Sequence, residues 1–161
     1  MFSTRLLPLA VVAAISTFPL ADSRADAAGA FSNLAGSWSG SGQMRLEGGR
    51  TENLRCRANY TDRSRGNGLG ISIRCASASS KVDLRASLTG SGNRVSGSWE
   101  EREFNTGGNA SGTANGNQIS LSINGGIDGS MTVTTNGGRQ SVSITTENVA
   151  LKGIRIALAR E

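Results

Sequence analysis

The chain has 161 residues, contains no histidine and carries a formal net charge of +5 from 17 basic and 12 acidic residues. Without histidine it lacks the usual general base, the commonest metal ligand and every Ser-His or Cys-His nucleophile pair. These features argue against most hydrolytic and metal-dependent enzymes, so we expect a protein without catalytic activity, metal or cofactor.

The first twenty residues, MFSTRLLPLAVVAAISTFPL, have the pattern of a secretory signal peptide. Arg5 precedes an apolar run over 6–20 that is short for a membrane span and is interrupted by proline. A small-x-small motif, ADA, ends at Ala27 and predicts cleavage there, which would release residues 1–27 and give a periplasmic or extracellular protein. In that compartment, positive charge favours anionic envelope components over nucleic acid as partners.

The part that follows, about 130 residues, is enough for one compact domain. We assign 28–34 to an N-terminal arm and 35–161 to a single β domain. Apolar residues recur at period two between turns rich in Gly and Asn, and no segment carries a helical apolar stripe. The predicted strands are Ala35–Glu47, Glu52–Tyr60, Leu69–Ser77, Lys81–Thr89, Arg94–Arg102, Gly108–Ala114, Asn117–Asn124, Ile127–Thr135, Gln140–Thr146 and Gly153–Arg160.

The second and third predicted strands form the most informative hairpin. Folding about the turn RGNG sets Tyr60 opposite Ile71 and Cys56 opposite Cys75, on the apolar face. An even number of cysteines in an exported chain favours a disulfide. The hairpin therefore predicts a buried structural Cys56–Cys75 bond, and a pair of free buried thiols is the alternative.

The other turns predict the register of further hairpins, in which apolar faces match. The predicted pairs are Gly40 with Tyr60, Leu88 with Val95, Gly112 with Ile119 and Val133 with Val142.

About ten strands with one apolar face must bury that face by closure or by forming two layers. Short connections throughout favour an antiparallel up-and-down barrel, and a β-sandwich is the alternative. An outer-membrane barrel is disfavoured, since only 4% of the residues are aromatic and the chain does not end on an aromatic residue. We therefore do not expect an integral membrane protein.

The triplet GSW occurs twice and ends at Trp38 and Trp99, the two tryptophans of the chain. Both indoles fall on the apolar face beside glycines, which would leave room for a large ring and ease strand curvature. The tryptophans either plug the barrel or line a pocket.

The first triplet, Gly36-Ser37-Trp38, resembles the G-x-W that opens the first strand of lipocalin-like (calycin) barrels. With the antiparallel meander, this resemblance implies a barrel whose tryptophan closes one end, although the chain lacks the C-terminal helix of lipocalins. The chain also resembles small periplasmic metalloprotease inhibitors, which implies that the arm enters a protease cleft. Its LAGSW opening and Ser/Gly-rich strands resemble small uncharacterised secreted proteins of alphaproteobacteria.

A barrel of this size can admit a small ligand among its inward side chains. The candidate lining residues are Trp38, Met44, Tyr60, Ile71, Leu84, Trp99, Leu121, Met131 and Ile144. They suit an apolar molecule such as an acyl chain, and in a sandwich the same residues would form an ordinary core.

The polar face carries a second candidate site. Arg45 is predicted opposite Arg55 and Arg57 opposite Arg74, with Arg85 nearby. Like charges paired across strands cost stability, and arginine binds carboxylate and phosphate, so the cluster indicates an anionic partner or simply a solvated basic face.

The sequence thus predicts an exported, non-catalytic barrel that binds an apolar small molecule or lipid in its interior. The alternative is a protein-interaction module of the cell envelope, either a protease inhibitor or a binder of anionic surfaces. The oligomeric state is not predicted by any of these patterns.

Overall fold

The computed structural model describes residues 29–161, so the predicted signal peptide and Ala28 lie outside the described residues. Ten antiparallel strands form a closed barrel in which each strand pairs with its neighbours in sequence and β1 pairs with β10. The strands are β1 Gly36–Leu46, β2 Thr51–Arg63, β3 Gly68–Ala76, β4 Lys81–Ser91, β5 Arg94–Glu101, β6 Thr106–Ala114, β7 Gln118–Gly125, β8 Asp128–Asn136, β9 Arg139–Glu147 and β10 Leu151–Arg160. The predicted all-β barrel is confirmed, and the sandwich alternative is wrong.

The barrel has two different ends. The hairpins β2–β3, β4–β5, β6–β7 and β8–β9 gather at one end together with the start of β1 and the end of β10. We call this the closed end. The hairpins β1–β2, β3–β4, β5–β6, β7–β8 and β9–β10 gather at the other, which we call the open end. No helix within 29–161 is long and apolar enough to cross a membrane.

The segment 29–35 packs across the closed end. Phe31 and Leu34 are 1% and 0% exposed, and the carbonyl of Ala30 accepts a hydrogen bond from the backbone N–H of Gly116 at 3.0 Å. The indole Nε1 of Trp38 donates to the carbonyl of Leu34 at 3.1 Å. The described part of the arm is therefore core structure of the barrel.

Arg160, near the end of the chain, completes this closure. Its guanidinium lies 4.2 Å from the centroid of the Trp38 ring and donates to the carbonyls of Ala35 and Asn33 at 2.7 and 3.1 Å. The start and end of the barrel are thereby joined by a cation–π contact and two charge-assisted hydrogen bonds.

The predicted register is confirmed in two hairpins. Cys56 lies opposite Cys75 and Val133 opposite Val142. The Cys56–Cys75 disulfide is formed, with a Cα–Cα distance of 4.1 Å and both residues no more than 5% exposed. The predicted buried bond is therefore present.

Three other predicted registers are wrong. In the first hairpin Gly40 lies opposite Cys56, because a 3-10 turn over Glu47–Gly49 centres the hairpin on Gly48. Leu88 lies opposite Gly97 and Gly112 opposite Leu121, each shifted by two residues from the prediction. A register shift by an even number of residues leaves the same side chains on the inward face, so the predicted core residues still point inward.

The shifts in the β4–β5 and β6–β7 hairpins share one cause. Gly92 and Gly116 have positive φ angles of 61° and 85°, and each is the first of the two central turn residues, followed by asparagine. A two-residue turn with positive φ at its first central residue favours glycine at that position, whereas the prediction placed glycine second. Moving the turn by one residue along the chain moves the pairing by two.

Glycines on the inward face allow close approach of neighbouring strands. A Cβ at Gly97 would lie 2.0 Å from the carbonyl oxygen of Ser87, and one at Gly40 would lie 2.0 Å from that of Ala157. The space beside these glycines is therefore filled by backbone and does not make room for an indole. Their role is to let the sheet curve tightly enough to close.

We expect Gly97→Ala to lower the free energy of unfolding by about 1 to 3 kcal/mol, since the new methyl group forces β4 and β5 apart. Gly138→Ala is the matched control, because nothing lies within 4 Å of its Cβ position. Urea unfolding of both variants measures the difference, and equal stabilities would contradict the proposed close approach.

Removing the disulfide as Cys56→Ser/Cys75→Ser should lower the free energy of unfolding by about 3 kcal/mol, because the bond closes a loop between residues 19 apart in sequence. Chemical denaturation of the variant, alongside the wild type with and without reductant, tests this. A variant as stable as the oxidised wild type would show that the bond adds no stability.

Candidate functional site

The inside of the barrel is filled at the closed end and partly empty at the open end. Toward the closed end, the inward residues Leu88, Ile119, Val133 and Val142 are at most 2% exposed. Toward the open end, Leu84, Ala86, Ile123 and Ile144 point to the same interior but are only half-buried. The exposed part of the inner wall forms a cup.

The cup has a volume of about 70 Å³. Its lining residues are Val82, Leu84, Ala86, Trp99, Glu101, Ala110, Leu121, Ile123, Ile127, Met131, Ile144, Thr146, Leu151 and Ile154. Most of them come from β4 to β10, so the cup lies on the side of the barrel away from the disulfide hairpin.

The side chains of the two polar lining residues are already hydrogen-bonded to the backbone at the rim. The carboxylate of Glu101 accepts hydrogen bonds from the backbone N–H groups of Asp83 and Phe104, each at 2.7 Å. The hydroxyl of Thr146 donates to the carbonyl of Leu151. Because these groups are already engaged, the cup offers an apolar surface to an occupant.

Trp99 is the largest side chain in the wall and is 7% exposed. Its indole Nε1 is buried and has no hydrogen-bond partner among residues 29–161. An unmade hydrogen bond of this kind costs about 1 to 3 kcal/mol. Trp38 differs sharply, since its Nε1 is bonded to Leu34.

The structure brings together five of the predicted ligand-binding residues and separates the other four. Leu84, Trp99, Leu121, Met131 and Ile144 line the cup. Trp38, Met44, Tyr60 and Ile71 are buried core residues outside it. The two tryptophans therefore do not share a pocket, because Trp38 closes one end of the barrel.

Tyr60 has a structural role at the closed end. Its hydroxyl donates to Gln140 Oε1 at 2.7 Å, and Gln140 Nε2 donates to Thr135 Oγ1 at 3.2 Å. Burial raises the pKa of Tyr60 far above its usual range, which keeps the phenol neutral.

The prediction missed lining residues next to the open-end hairpins, including Val82, Glu101, Ile127 and Leu151. They lie on the predicted inward face or in the adjoining turns. The sequence pattern could have located them, because the inward residues that flank every second hairpin lie at the same end of an up-and-down barrel.

The outward arginines do not form the single cluster that was predicted. Arg57 does lie opposite Arg74. Arg45, however, lies opposite Thr51, and Arg55 lies opposite Ser41, because the first hairpin has a different register from the predicted one. Arg45 is therefore not part of the cluster around Arg57.

Asp83 partly neutralises this surface. Arg85 Nε donates to its carboxylate at 2.8 Å, and Arg74 Nε lies 3.7 Å away. The hydrogen bond from Arg85 holds the pKa of Asp83 below its usual range. Among residues 29–161, no three His, Cys, Asp or Glu side chains are grouped so as to hold a metal ion.

The sequence matches no family model and no curated protein. Solved structures with the same fold do exist. Rv2717c from M. tuberculosis superposes with a TM-score of 0.62 at 15% identity, over 81% of this chain and 94% of that one. The S-type phycobiliprotein lyase CPES from Guillardia theta gives 0.52 at 10% identity, over 80% and 89%. At these identities the likeness supports the barrel fold alone.

The two tryptophans should respond differently to the same substitution. Trp38→Phe should cost about 1 to 3 kcal/mol more stability than Trp99→Phe, because it leaves the Leu34 carbonyl without its donor and replaces the indole under Arg160 with a smaller ring that makes a weaker cation–π contact. Thermal and urea unfolding of both variants measure this. Equal losses would contradict the assignment of Trp38 to the closure.

Proposed function

We propose that this protein is an exported, non-catalytic binding barrel that holds the apolar part of a small molecule in the cup. The observation that carries the proposal is the half-buried state of Leu84, Ala86, Ile123 and Ile144, which point inward yet are not covered by protein. Exposed apolar surface inside a barrel is costly in water, and an apolar occupant would cover it.

The size of the cup limits the occupant. An apolar cavity of roughly 150 Å³ holds a benzene molecule. The cup, at about 70 Å³, is about half as large. It therefore suits the tip of an acyl chain or the edge of a ring, while the rest of the ligand would emerge between the open-end hairpins.

Trp99 presents only carbon atoms to an occupant. Its indole Nε1 is buried, and the surface of the cup is wholly apolar. The part of a ligand that enters the cup would therefore be apolar.

The inhibitor alternative receives less support. Insertion into a protease cleft needs a free arm, and in 29–34 the apolar side chains Phe31 and Leu34 are buried in the closed end. The alternative that retains a specific observation is the basic outer surface, which the next subsection develops.

A substitution that places a larger side chain in the cup tests the proposal. We expect Ala86→Leu to weaken binding of the neutral probe N-phenyl-1-naphthylamine at least about tenfold, because the larger side chain takes the place of the occupant. Ala157→Leu is the matched control, since Ala157 is exposed on the outer face of β10. Fluorescence titration of the protein recovered from expressing cells measures both affinities.

Native mass spectrometry of the same samples gives the stoichiometry, which should be one probe per chain. Saturable binding that Ala86→Leu and Ala157→Leu affect equally, or no saturable binding by the wild type, would overturn the proposal. Urea unfolding shows whether each variant keeps the fold.

A further inference from the structure

A second site lies on the outer wall of the barrel beside the open end. Two rows of outward side chains cross β1 to β4 there. One row runs Ser41, Arg55, Ala76, Lys81, and the next runs Ser39, Arg57, Arg74, Asp83. The small Ala76 thus lies among four cationic side chains, and we call this surface the basic groove.

The basic groove keeps a net positive charge. Its walls contain the four cationic residues Arg55, Arg57, Arg74 and Lys81 and two acidic ones, Asp83 and Glu103. Asp83 is already engaged by Arg85 at 2.8 Å. Arg55, Arg57 and Lys81 have no salt bridge within residues 29–161.

Repulsion among these positive charges destabilises the protein when no anion is bound. Arg57 and Arg74 lie directly opposite each other on neighbouring strands, where like charges repel. The serines and Ala76 between the cationic residues leave a groove about their guanidinium and ammonium groups. An arriving anionic group would relieve the repulsion and accept several hydrogen bonds.

The basic groove lies beside the rim of the cup. Val82 belongs to the linings of both. Glu103, at the edge of the groove, precedes Phe104, which is 61% exposed and is the one exposed large apolar side chain among the described residues. The loop that carries Phe104 is tied to β4, because Arg102 N–H donates to the Asp83 carbonyl at 3.0 Å.

We propose that the basic groove and Phe104 dock the barrel on an anionic phospholipid surface, with the cup opening beside that surface. Basic side chains near a membrane each gain attraction from anionic headgroups, and a protruding aromatic ring inserts at the interface. The combination favours a membrane over a soluble polyanion, which would use the charges but leave Phe104 in water. This inference rests on the proposed function, since it names where the apolar ligand is collected or delivered.

Flotation with vesicles tests the docking. The wild-type protein recovered from expressing cells, its N-terminus determined by mass spectrometry, should float with phosphatidylcholine vesicles that contain phosphatidylglycerol and much less with phosphatidylcholine alone. Arg55→Ser/Arg57→Ser should weaken the partitioning at least about tenfold. Arg94→Ser/Arg139→Ser, which removes the same charge at the closed end, is the matched control and should float like the wild type.

Two further variants separate this inference from the proposed function. Phe104→Ser should reduce flotation while leaving the affinity for N-phenyl-1-naphthylamine unchanged, and Ala86→Leu should do the opposite. Flotation that both arginine pairs weaken equally, or binding of the protein to soluble heparin but not to the vesicles, would overturn the docking proposal. Absence of saturable probe binding by the wild type, with its flotation intact, would overturn only the proposed ligand-binding function.

Discussion

The pairing of β1 with β10 is the constraint on which the rest of the structure depends. It leaves no strand edge unpaired and forces the apolar faces of ten strands to share one interior. Such closure requires strong curvature, which explains why glycines on the inward face lie so close to neighbouring carbonyl groups. It also brings the two termini of the barrel together, where Arg160 stacks on Trp38 and holds the segment before β1.

Filling of the interior is unequal because the plugging side chains all come from one end. Phe31, Leu34 and Trp38 occupy the closed end, supported by the hydrogen-bonded Tyr60 and Gln140. No comparable segment within 29–161 crosses the open end. The inward residues at the open end therefore remain half-buried, and they line the apolar cup.

The proposed ligand site and the proposed membrane site meet at the open end, and the β4–β5 region connects them. Glu101 is central to that connection. Its carboxylate accepts hydrogen bonds from the backbone of Asp83, in the wall of the basic groove, and from the backbone of Phe104, at the exposed tip of the next loop. A rigid rim of this kind would hold the exposed ring, the cationic side chains and the mouth of the cup in fixed relative positions.

The sequence by itself determined the strands, their order, the inward face and the disulfide, because period-two alternation and short turns leave few other solutions for an antiparallel chain. Five of the nine predicted ligand-binding residues line the cup, and nine of its fourteen lining residues were not predicted, since face is encoded by alternation but depth along the barrel is not. Depth depends on register, and register depended on whether glycine stands first or second in a turn, as at Gly92 and Gly116. Only the tertiary structure decided that the N-terminal segment plugs one end, which separated Trp38 from Trp99. Only the observed register of the first hairpin separated Arg45 from Arg55, because a shift in that hairpin moves a side chain several residues along its neighbour.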